Sequence, residues 1–532
     1  MPKTVADETP DLAEVRLEKL RQIEALGLDP WGQRFDNAMP IGEIRKLPPD
    51  PFDDAKPGPK VRAAGRVVRQ RSAGKLLFLE ILDQTGRIQL MVRVNKITPQ
   101  EWSVAQLLDL GDLIGVDGEF GKTKTGELTI QVTALTFLTK SLEPHPKDVF
   151  GMGDEEYRLR HRYLDMIYTP DTLRRAHQRV KIIRTIRNHL DAQGFMEVET
   201  PTLHAIAGGA AARPFETHHN ALDMALYLRI ALELHLKRLL VGGIEKVYEL
   251  GRVFRNEGIS RKHNPEFTML ELYQSYADYR TMMDLTEGLI VACVDVVGPT
   301  ATVDVPEEYE EKGEKKTRMV PRRVYELHGE RHLRFGEKVV NFNPPFQRAK
   351  YADLFKQYVG CDMSDEVAVR SAARAENIEL EVSPAPGVPR VAKAHDVLVH
   401  ELFEDMVEGK LVGPVFVHDY PAALCPLTKR KRDNPAIAER FELYVHGMEL
   451  ANAYTELNDP ITQEQTFTQQ LVGLSEEDSM AKMDHDFIRA LRHGMPPAGG
   501  LGIGIDRLVM LLTNTQTIRD VILFPLLRPE GK

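Results

Sequence analysis

The segment with the greatest chemical potential spans residues 246–274, KVYELGRVFRNEGISRKHNPEFTMLELYQ. Its alternation of residue types predicts two strands joined by a polar loop over residues 256–265. Four potential cations lie at the end of the first strand and in that loop: Arg255, Arg261, Lys262 and His263. Phe267 follows them, and cations beside an aromatic ring suit a ligand that carries phosphate on an aromatic group. A solvated basic hairpin tip is the alternative that this segment alone leaves open.

The second predicted strand of this segment has two different faces. Thr268, Leu270 and Leu272 share one of them. The other face carries aromatic rings and a carboxylate, from Phe267, Met269, Glu271 and Tyr273. The second face is therefore the one expected to meet a ligand.

Two carboxylates in FELYVHGMELANAYTE, residues 441–456, point to a divalent cation. Glu442 and Glu449 are predicted on one strand whose parity Gly447 resets through a bulge, so that both face one cleft. Hard oxygen ligands of this kind hold Mg²⁺ on the phosphates of a nucleotide. Two ordinary salt-bridged glutamates are the alternative at this point.

A glycine-rich segment, GGLGIGIDRLVMLL at residues 499–512, predicts a strand that passes into a helix near Ile505 or Asp506. Backbone without side chains can approach a ligand closely. Arg507 falls in the first helical turn, where a cation is disfavoured, and an anionic ligand there would explain it. The chain has neither GxGxxG nor GxxxxGK[ST], which excludes the Rossmann and P-loop fingerprints.

Three regions must position these residues. Residues 1–60 predict a helix and a proline-rich linker, and residues 61–145 predict five short strands that close a small barrel. Residues 146–532 alternate helices with mainly antiparallel strands, which indicates an α+β domain, and the charged stretch 300–338 is interpreted as an inserted hairpin. A helix over 172–192 is expected to bury the stripe Val180, Ile183, Ile186 and Leu190.

The barrel region offers a surface for nucleic acid. Alternation in LLFLEIL and RIQLMVRV turns Leu77, Leu79 and Ile81 inward and Phe78 outward, on a side with Gln89. Single-stranded bases stack on exposed aromatic rings and pair with amide and guanidinium groups. Packing of Phe78 under a loop or a second domain is the alternative.

Composition excludes several classes of protein. The 69 basic and 79 acidic residues leave a net charge of -10, so a histone-like binder is excluded and any nucleic-acid contact must be local. The three cysteines form no CxxC pair, which argues against a disulfide framework or zinc knuckle and fits a reducing cytoplasm. No apolar run approaches the ~20 residues that cross a bilayer, and the acidic start is unlike a secretory signal, so we expect no membrane association.

These segments together resemble class II aminoacyl-tRNA synthetases, and within that class the chain is similar to bacterial-type lysyl-tRNA synthetases. GFMEVETPTL resembles motif 1, FRNEGISRKHNPEFTMLELY motif 2 and GLGIGIDR motif 3, while GGAAARPFETHHNAL and NAYTELNDP resemble segments typical of the lysine enzymes. The resemblance covers about residues 61–300 and 340–528. It implies an OB-fold barrel over 61–145 that binds the anticodon, a catalytic domain over 146–532 with an antiparallel sheet flanked by helices, and a homodimer.

The resemblance also implies an activity and a set of site residues. The enzyme would activate L-lysine with ATP to lysyl-adenylate, with release of pyrophosphate, and transfer the lysyl group to the 3′ end of tRNA-Lys, with Mg²⁺ as cofactor. Arg255 and Arg507 would be catalytic. The ATP site would comprise Arg255 on the α-phosphate, Phe267 on adenine, His263 and Arg507 on the terminal phosphates, and Glu257 and Lys262. The metal ligands would be Glu442 and Glu449. The lysine site would comprise Gly209, Glu233, Glu271, Tyr273, Asn452 and Glu456, and the anticodon site Arg71, Phe78, Gln89 and Glu127.

The choice of amino acid is an electrostatic question. A buried ammonium needs carboxylate partners, so Glu233 and Glu456 are expected to face the lysine ε-ammonium. An aspartyl or asparaginyl enzyme would need a cationic pocket, and a protein-lysylating ligase or a catalytically inactive RNA-binding factor are further alternatives. The chain departs from the family pattern at Leu232, in IALEL where IAPEL is usual, and at Lys262, where arginine is common.

Overall fold

The computed structural model describes residues 12–53, 57–144, 153–206, 208–209, 212–298, 302–311, 314–324, 328–383, 390–471 and 484–529. The chain divides into two compact units, Met1–Asp154 and Glu155–Lys532. The boundary predicted at residue 145 falls among residues 145–152, which lie outside the described residues, and it stays a prediction.

The first unit contains a closed barrel of five strands. They are β1 (Lys60–Ala73), β2 (Leu76–Asp83), β3 (Gly86–Arg93), β4 (Leu113–Lys122) and β5 (Leu128–Thr139), joined in the order β1-β2-β3-β5-β4. The helices of this unit are α1 (Leu12–Ala25), α2 (Ile41–Ile44) and α3 (Pro99–Leu107). The prediction of a five-stranded OB-fold barrel is confirmed.

Alternation decides which barrel side chains enter the core. Leu77, Leu79 and Ile81 are buried on β2, whereas Phe78 is only partly buried, as the sequence predicts. The strands β3 and β5 pair in parallel and the other neighbours are antiparallel. The barrel thus leaves the outward face of β2 and β3 available for a ligand.

The second unit alternates helices and strands. Its helices are α4 (Glu155–Arg160), α5 (Arg162–Tyr168), α6 (Pro170–Ala192), α7 (Glu233–Val241), α8 (Tyr279–Val297), α9 (Tyr351–Val359), α10 (Glu366–Ala375), α11 (His395–Met406), α12 (Pro460–Leu471), α13 (His485–Arg492), α14 (Ile505–Leu512) and α15 (Ile518–Val521). Short 3-10 turns cover Glu408–Lys410 and Ala422–Leu424.

The strands of this unit build one large sheet and several small ones. The large sheet contains β6 (Met196–Glu197), β10 (Lys246–Phe254), β11 (Glu266–Ser275), β16 (Gln347–Lys350), β19 (Val415–Pro421), β20 (Ile437–Val445), β21 (Met448–Thr455) and β22 (Ala498–Gly504). The small sheets contain β7 (Leu203–His204), β8 (Glu216–His219), β9 (Met224–Leu228), β12 (Thr302–Glu311), β13 (Glu314–Arg323), β14 (His332–Phe335), β15 (Lys338–Asn341), β17 (Glu381–Val382) and β18 (Val391–Ala392).

The large sheet has the order β16-β19-β20-β21-β22-β11-β10-β6. Its six inner strands pair antiparallel, and only the edge strands β16 and β6 pair in parallel with their neighbours. This confirms the predicted α+β class with a mainly antiparallel sheet flanked by helices.

Apolar side chains from both faces of this sheet are packed by helices. The helices α6, α8 and α14 share one core cluster with Leu270, Leu501 and Ile503, while α7 and α13 share another with Val253 and Tyr273. The sheet is thus fixed from both sides, and its glycine strand β22 lies in the middle.

The stripe predicted for the helix over 172–192 is wrong at one position. The buried side of α6 carries Ile182, Ile186 and Leu190, with Ile183 partly buried, while Val180 is 55% exposed. Val180 points away from the core because it lies two residues before Ile182, on the far side of the helix.

The charged stretch 300–338 contains one antiparallel hairpin, β12 with β13, and the beginning of a second, β14 with β15, which extends past it to Asn341. Residues 300–301, 312–313 and 325–327 fall outside the described part of the chain. Among the helices of the described ranges, none is long and apolar enough to cross a membrane.

Candidate active-site groove and nucleic-acid surface

A groove runs along the middle of the large sheet because its central strand has no side chains on one face. Gly500, Gly502 and Gly504 alternate along β22 with Leu501 and Ile503, which point into the core. On the neighbouring strands, Tyr273 and Tyr454 flank Gly500, Glu271 and Asn452 flank Gly502, and Met269 pairs with Gly504. We call the space over these glycines, between the side chains of β11 and β21, the groove.

The three glycines differ in what a side chain would meet. A Cβ atom at Gly500 would lie 2.6 Å from Tyr273 Cε1 and would overlap Glu456 Oε1. At Gly502 it would lie 3.4 Å from Met269 Cε, and at Gly504 3.6 Å from Arg507 Cδ. Gly500 is therefore sterically required by the protein itself, whereas the other two leave room for a ligand to lie against the backbone.

One end of the groove opens into a cavity of about 360 Å³, which we call the nucleotide cavity. Its lining includes all the residues predicted for ATP: Arg255, Glu257, Lys262, His263, Phe267 and Arg507. The Arg255 guanidinium carbon lies 5.3 Å from the centre of the Phe267 ring. The cavity thus combines a cation and an aromatic face, the combination expected for a phosphorylated aromatic ligand.

The cationic character of this cavity differs from the prediction in two ways. Arg507 Nη2 donates to His263 Nε2 at 3.2 Å, and burial together with the charge of Arg507 lowers the pKa of His263. His263 is therefore neutral at pH 7 and contributes hydrogen bonding rather than charge. Arg261 is exposed and is not among the residues that line the nucleotide cavity.

The two carboxylates predicted for a metal lie on two strands, not on one. β20 and β21 are joined by a tight turn at His446 and Gly447, both with positive φ. A register shift then places Leu450 in a bulge between the pairs Leu443–Ala451 and Tyr444–Glu449. The turn and this bulge together, rather than a bulge at Gly447, bring the two glutamates to the same side.

Glu442 and Glu449 have different surroundings. Glu442 is buried, contacts Arg440, and accepts hydrogen bonds from Tyr420 at 3.0 Å and Tyr444 at 2.5 Å. Glu449 is partly exposed, and its carboxylate contacts the guanidinium of Arg507 at 3.3 Å. Partial burial, and then the charge of Glu442, raise the pKa of Glu449.

These two carboxylates fit a hard divalent cation that also binds phosphate. Their mutual repulsion would be relieved by such an ion, and both carry oxygen donors of the type that Mg²⁺ prefers. Within the described ranges, no group of three or more His, Cys, Asp or Glu side chains could hold a metal by itself. The remaining ligands would therefore have to come from a bound nucleotide or water.

The other end of the groove is a buried acidic pocket. Glu233 begins α7, Glu456 follows β21, and both are almost fully buried. The ammonium of Lys237 lies between them, 2.5 Å from Glu233 Oε1 and in contact with Glu456 Oε2. Sequence reasoning missed Lys237, although its spacing of one helical turn from Glu233 was a usable signal.

Neither carboxylate oxygen of Glu456 has a hydrogen-bond partner among the described residues. Oε2 is in ionic contact with Lys237, whereas Oε1 is buried close to the backbone of Gly500. The rings of Tyr273 and Tyr454 lie 6.0 Å and 5.6 Å from the Lys237 ammonium. A buried acceptor without a donor, next to aromatic rings, is the environment that an additional ammonium group would complete.

Glu271 lies between the two ends of the groove. Its carboxylate accepts the backbone N–H of Leu232 at 3.1 Å and the hydroxyl of Tyr273 at 3.3 Å. Burial, and then the charge of Glu233, raise the pKa of Glu271 to about 7. Burial also raises the pKa of Glu456 to about 8, against the influence of Lys237. We call Glu233, Lys237, Glu271, Tyr273, Tyr454 and Glu456 the amino-acid pocket.

The two remaining residues predicted for lysine border this pocket and the groove. Gly209 has a φ of 87°, and a Cβ atom there would lie 3.1 Å from Ala231 Cβ and 3.6 Å from Glu233 Cβ. Asn452 lines the nucleotide cavity, and its Oδ1 atom accepts from Arg440 Nε at 3.2 Å. Arg440, which also contacts Glu442, is a second residue that sequence reasoning missed.

The barrel of the first unit has a basic cavity of about 590 Å³ on its outward face. All four residues predicted for the anticodon line it: Arg71, Phe78, Gln89 and Glu127. Arg45, Arg69, Arg87 and Lys124 line it as well. Arg71 pairs directly opposite Phe78 between β1 and β2, so a cation and an aromatic ring are neighbours on this surface.

Comparison with known protein families assigns a family to each of the two units. Residues 154–528 match the family described as tRNA synthetases class II (D, K and N), and residues 61–138 match the OB-fold nucleic acid binding domain. The fold and the groove thus define a class II tRNA synthetase.

Named relatives narrow this class. The chain is 47% identical over 522 residues to a lysine–tRNA ligase of Moorella thermoacetica, with 98% of each chain covered. It is 46% identical to a lysine–tRNA ligase of Pelotomaculum thermopropionicum, over 98% of this chain and 95% of the relative, and 45% identical to one of Halalkalibacterium halodurans, over 97% of both. The chain belongs to the lysine–tRNA ligase family.

Proposed function

We propose that this protein activates L-lysine with ATP and transfers the lysyl group to tRNA-Lys. The observation that carries the proposal is the amino-acid pocket, in which the buried carboxylates outnumber the single ammonium of Lys237. This pocket lies at one end of a groove whose other end has the cations and the aromatic ring that ATP needs. A substrate with a positive distal group and a reacting carboxylate fits that order of charges along the groove.

The geometry accounts for the first chemical step without a protein nucleophile. An oxygen of the lysine carboxylate attacks the α-phosphorus of ATP, and the bond from that phosphorus to pyrophosphate breaks. Arg255 is positioned to stabilise the negative charge on the α-phosphate, and Arg507 the charge on the leaving phosphates. The 3′-terminal hydroxyl of tRNA then attacks the carbonyl carbon of lysyl-adenylate, and AMP leaves as the hydroxyl proton is lost.

Mg²⁺ is the metal that we expect in the nucleotide cavity, held by Glu442 and Glu449. When bound, it would neutralise phosphate charge. The protein residues act independently of that contribution: Tyr420 and Tyr444 fix the Glu442 carboxylate by hydrogen bonds, and Arg507 orients Glu449.

The negative charge of the amino-acid pocket disfavours aspartate as the substrate. The aspartate side chain would need an unpaired cation, and Lys237 is a cation in the right place. However, Glu233 and Glu456 both pair with it, and the buried Glu271 adds another acidic group. An entering carboxylate would therefore meet net repulsion.

The other expected partners follow from the same assignment. The basic cavity on the barrel, with Phe78 at its surface, suits unstacked bases of the anticodon loop. We also propose a homodimer, supported by exposed apolar residues around motif 1, namely Val180, Met196 and Leu203. The free cysteines suit a reducing cytoplasm.

Pyrophosphate exchange with each of the twenty amino acids tests the activity directly. We expect exchange of labelled pyrophosphate into ATP with lysine and background exchange with aspartate, asparagine and arginine. Charging of a tRNA-Lys transcript, with a tRNA-Asp transcript as control, tests the second step. Exchange that depends on aspartate or asparagine, or no exchange with any amino acid, would refute the proposal.

A further inference from the structure

Lys237 is a buried charged residue that the mechanism above does not use. It is 0% exposed, lies one turn after Glu233 on α7, and its ammonium bridges Glu233 and Glu456. A lysine side chain buried this deeply is rare unless it is paired, and its pairing here is with the two carboxylates assigned to the substrate. Its position therefore needs an explanation in terms of the amino-acid pocket.

The charged groups of the pocket come from three elements. The helix α7 contributes Glu233 and Lys237, β11 contributes Glu271 beside Tyr273, and the end of β21 contributes Tyr454 and then Glu456. Arg255 acts on Glu271 from the nucleotide cavity and is assigned there to ATP.

The charges of these residues can be compared with those of the substrate. Among the described residues of the pocket there are three carboxylates and one ammonium, an excess of two negative charges when all are ionised. L-lysine carries two ammonium groups and one carboxylate, and the carboxylate is the group that reacts with the α-phosphate, toward the nucleotide cavity. The pocket with Lys237 thus matches the two ammonium groups of lysine, whereas the same pocket without Lys237 would hold one negative charge too many.

We propose that Lys237 is a positioning residue for amino-acid selection: its ammonium orients Glu233 and Glu456 and adjusts the charge of the pocket to that of the two ammonium groups of lysine. This inference rests on the proposed function and adds a residue to it. The ionic contact of Lys237 Nζ is with Oε2 of Glu456, so Oε1, which has neither an ionic contact nor a hydrogen bond among the described residues, is left for the substrate ammonium.

Removal of this ammonium has a specific electrostatic consequence. The remaining carboxylates would repel one another in a buried site, and the pocket would take up an additional proton. Binding of lysine would then have to expel that proton, so its affinity would fall at neutral pH and recover at higher pH. A residue that only fills space would lower stability without moving the pH dependence.

The test compares Lys237→Met with Lys246→Met in lysine-dependent pyrophosphate exchange between pH 6 and pH 9. Methionine keeps the length of the side chain and removes its charge. Lys246 is a matched control, because its ammonium donates to the backbone carbonyl of Gln193, outside the pocket. For Lys237→Met we expect the KM for lysine to rise about tenfold at pH 7, a smaller change in the KM for ATP, and a KM profile displaced by about one pH unit upward. The control should keep the wild-type profile.

A double variant separates charge from packing. Lys237→Met with Glu233→Gln removes one charge of each sign, so its KM profile should return toward the wild-type pH even if the affinity stays low. If Lys237→Met fails to fold, the double variant should still fold. A wild-type profile for Lys237→Met, an equally displaced profile in the double variant, or failure of both variants to fold would overturn the inference. If the wild-type enzyme gives no exchange with lysine, the proposed function fails instead.

Discussion

The two ends of the groove hold opposite charges in opposite surroundings. The nucleotide cavity presents Arg255, Lys262 and Arg507 around an open space, and its histidine is neutral. The amino-acid pocket buries Glu233, Glu271 and Glu456 together with one lysine. Polar groups at the open end can be hydrated when no ligand is bound, whereas those at the closed end must be paired or protonated. Additional cations at the open end can therefore strengthen nucleotide binding. At the closed end, the amino acid can bind only when its charges balance those of the buried side chains.

The largest effect is expected from breaking the balance at the closed end. In Glu456→Gln, the substrate ammonium and Lys237 lose a buried carboxylate, which should cost about 2 to 5 kcal/mol of lysine discrimination. Exchange kinetics would report this as a raised KM for lysine with the KM for ATP nearly unchanged. Glu366→Gln, at an exposed glutamate paired with Arg370, is the control. Normal lysine activation by Glu456→Gln would contradict the assignment of the pocket.

At the open end, Arg255→Ala should lower the rate of adenylate formation by about 10² to 10³, because it removes a preorganised cation from the reacting phosphate. Single-turnover formation of lysyl-adenylate measures this rate. Arg252→Ala, on the strand β10 that ends just before Arg255 and with a partly exposed side chain near Glu266, should behave as wild type. If Arg255→Ala instead raised only the KM for lysine, the two ends of the groove would not be electrostatically separate.

The two ends of the groove should also differ in how ligand binding depends on pH. In the free enzyme the pKa of Glu271 is raised to about 7 and that of Glu456 to about 8, and bound ammonium groups favour the ionised forms of both. Binding must therefore release protons, and the affinity is lost as the pH falls through these values. We expect the KM for lysine to decrease by up to about tenfold per unit between pH 6 and pH 8, while the KM for ATP stays flatter. A flat KM for lysine over this range would argue against buried protonated carboxylates.

The smallest effect is expected from a single backbone hydrogen bond. Leu232 stands where the family commonly has proline, and its N–H donates to Glu271 at 3.1 Å, which proline cannot do. Leu232→Pro should weaken lysine binding by about 1 kcal/mol and raise the pH at which binding appears. Leu232→Met keeps the N–H group and is the matched control. Isothermal titration calorimetry with lysine would measure both; equal affinities for the two variants would make the hydrogen bond irrelevant.

The open end of the groove was more accessible to sequence reasoning than the closed end. Strand alternation correctly grouped Phe267 with Met269, which both line the nucleotide cavity, because the period of a strand decides the face from local sequence alone. The barrel followed from the same rule. Lys237 pairs with Glu456, which lies in a distant segment of the chain. The periodicity of a local sequence does not predict which distant residue a side chain will contact.

Two local errors have equally physical reasons. Gly447 predicted a local change in the backbone, but a residue with positive φ occurs in tight turns as well as in bulges. The antiparallel pairing of β20 with β21 shows that Gly447 belongs to a turn. Val180 is apolar yet exposed, and hydrophobicity alone does not decide whether a particular apolar side chain meets the core of its own chain.

The glycine face of β22 has a consequence for attempts to change the amino acid that the enzyme accepts. Its position at Gly500 already touches Tyr273 and Glu456, so nothing can be added there without displacing the selecting groups. Redesign of the specificity would have to change side chains on β11, β21 and α7, and keep the glycines of β22.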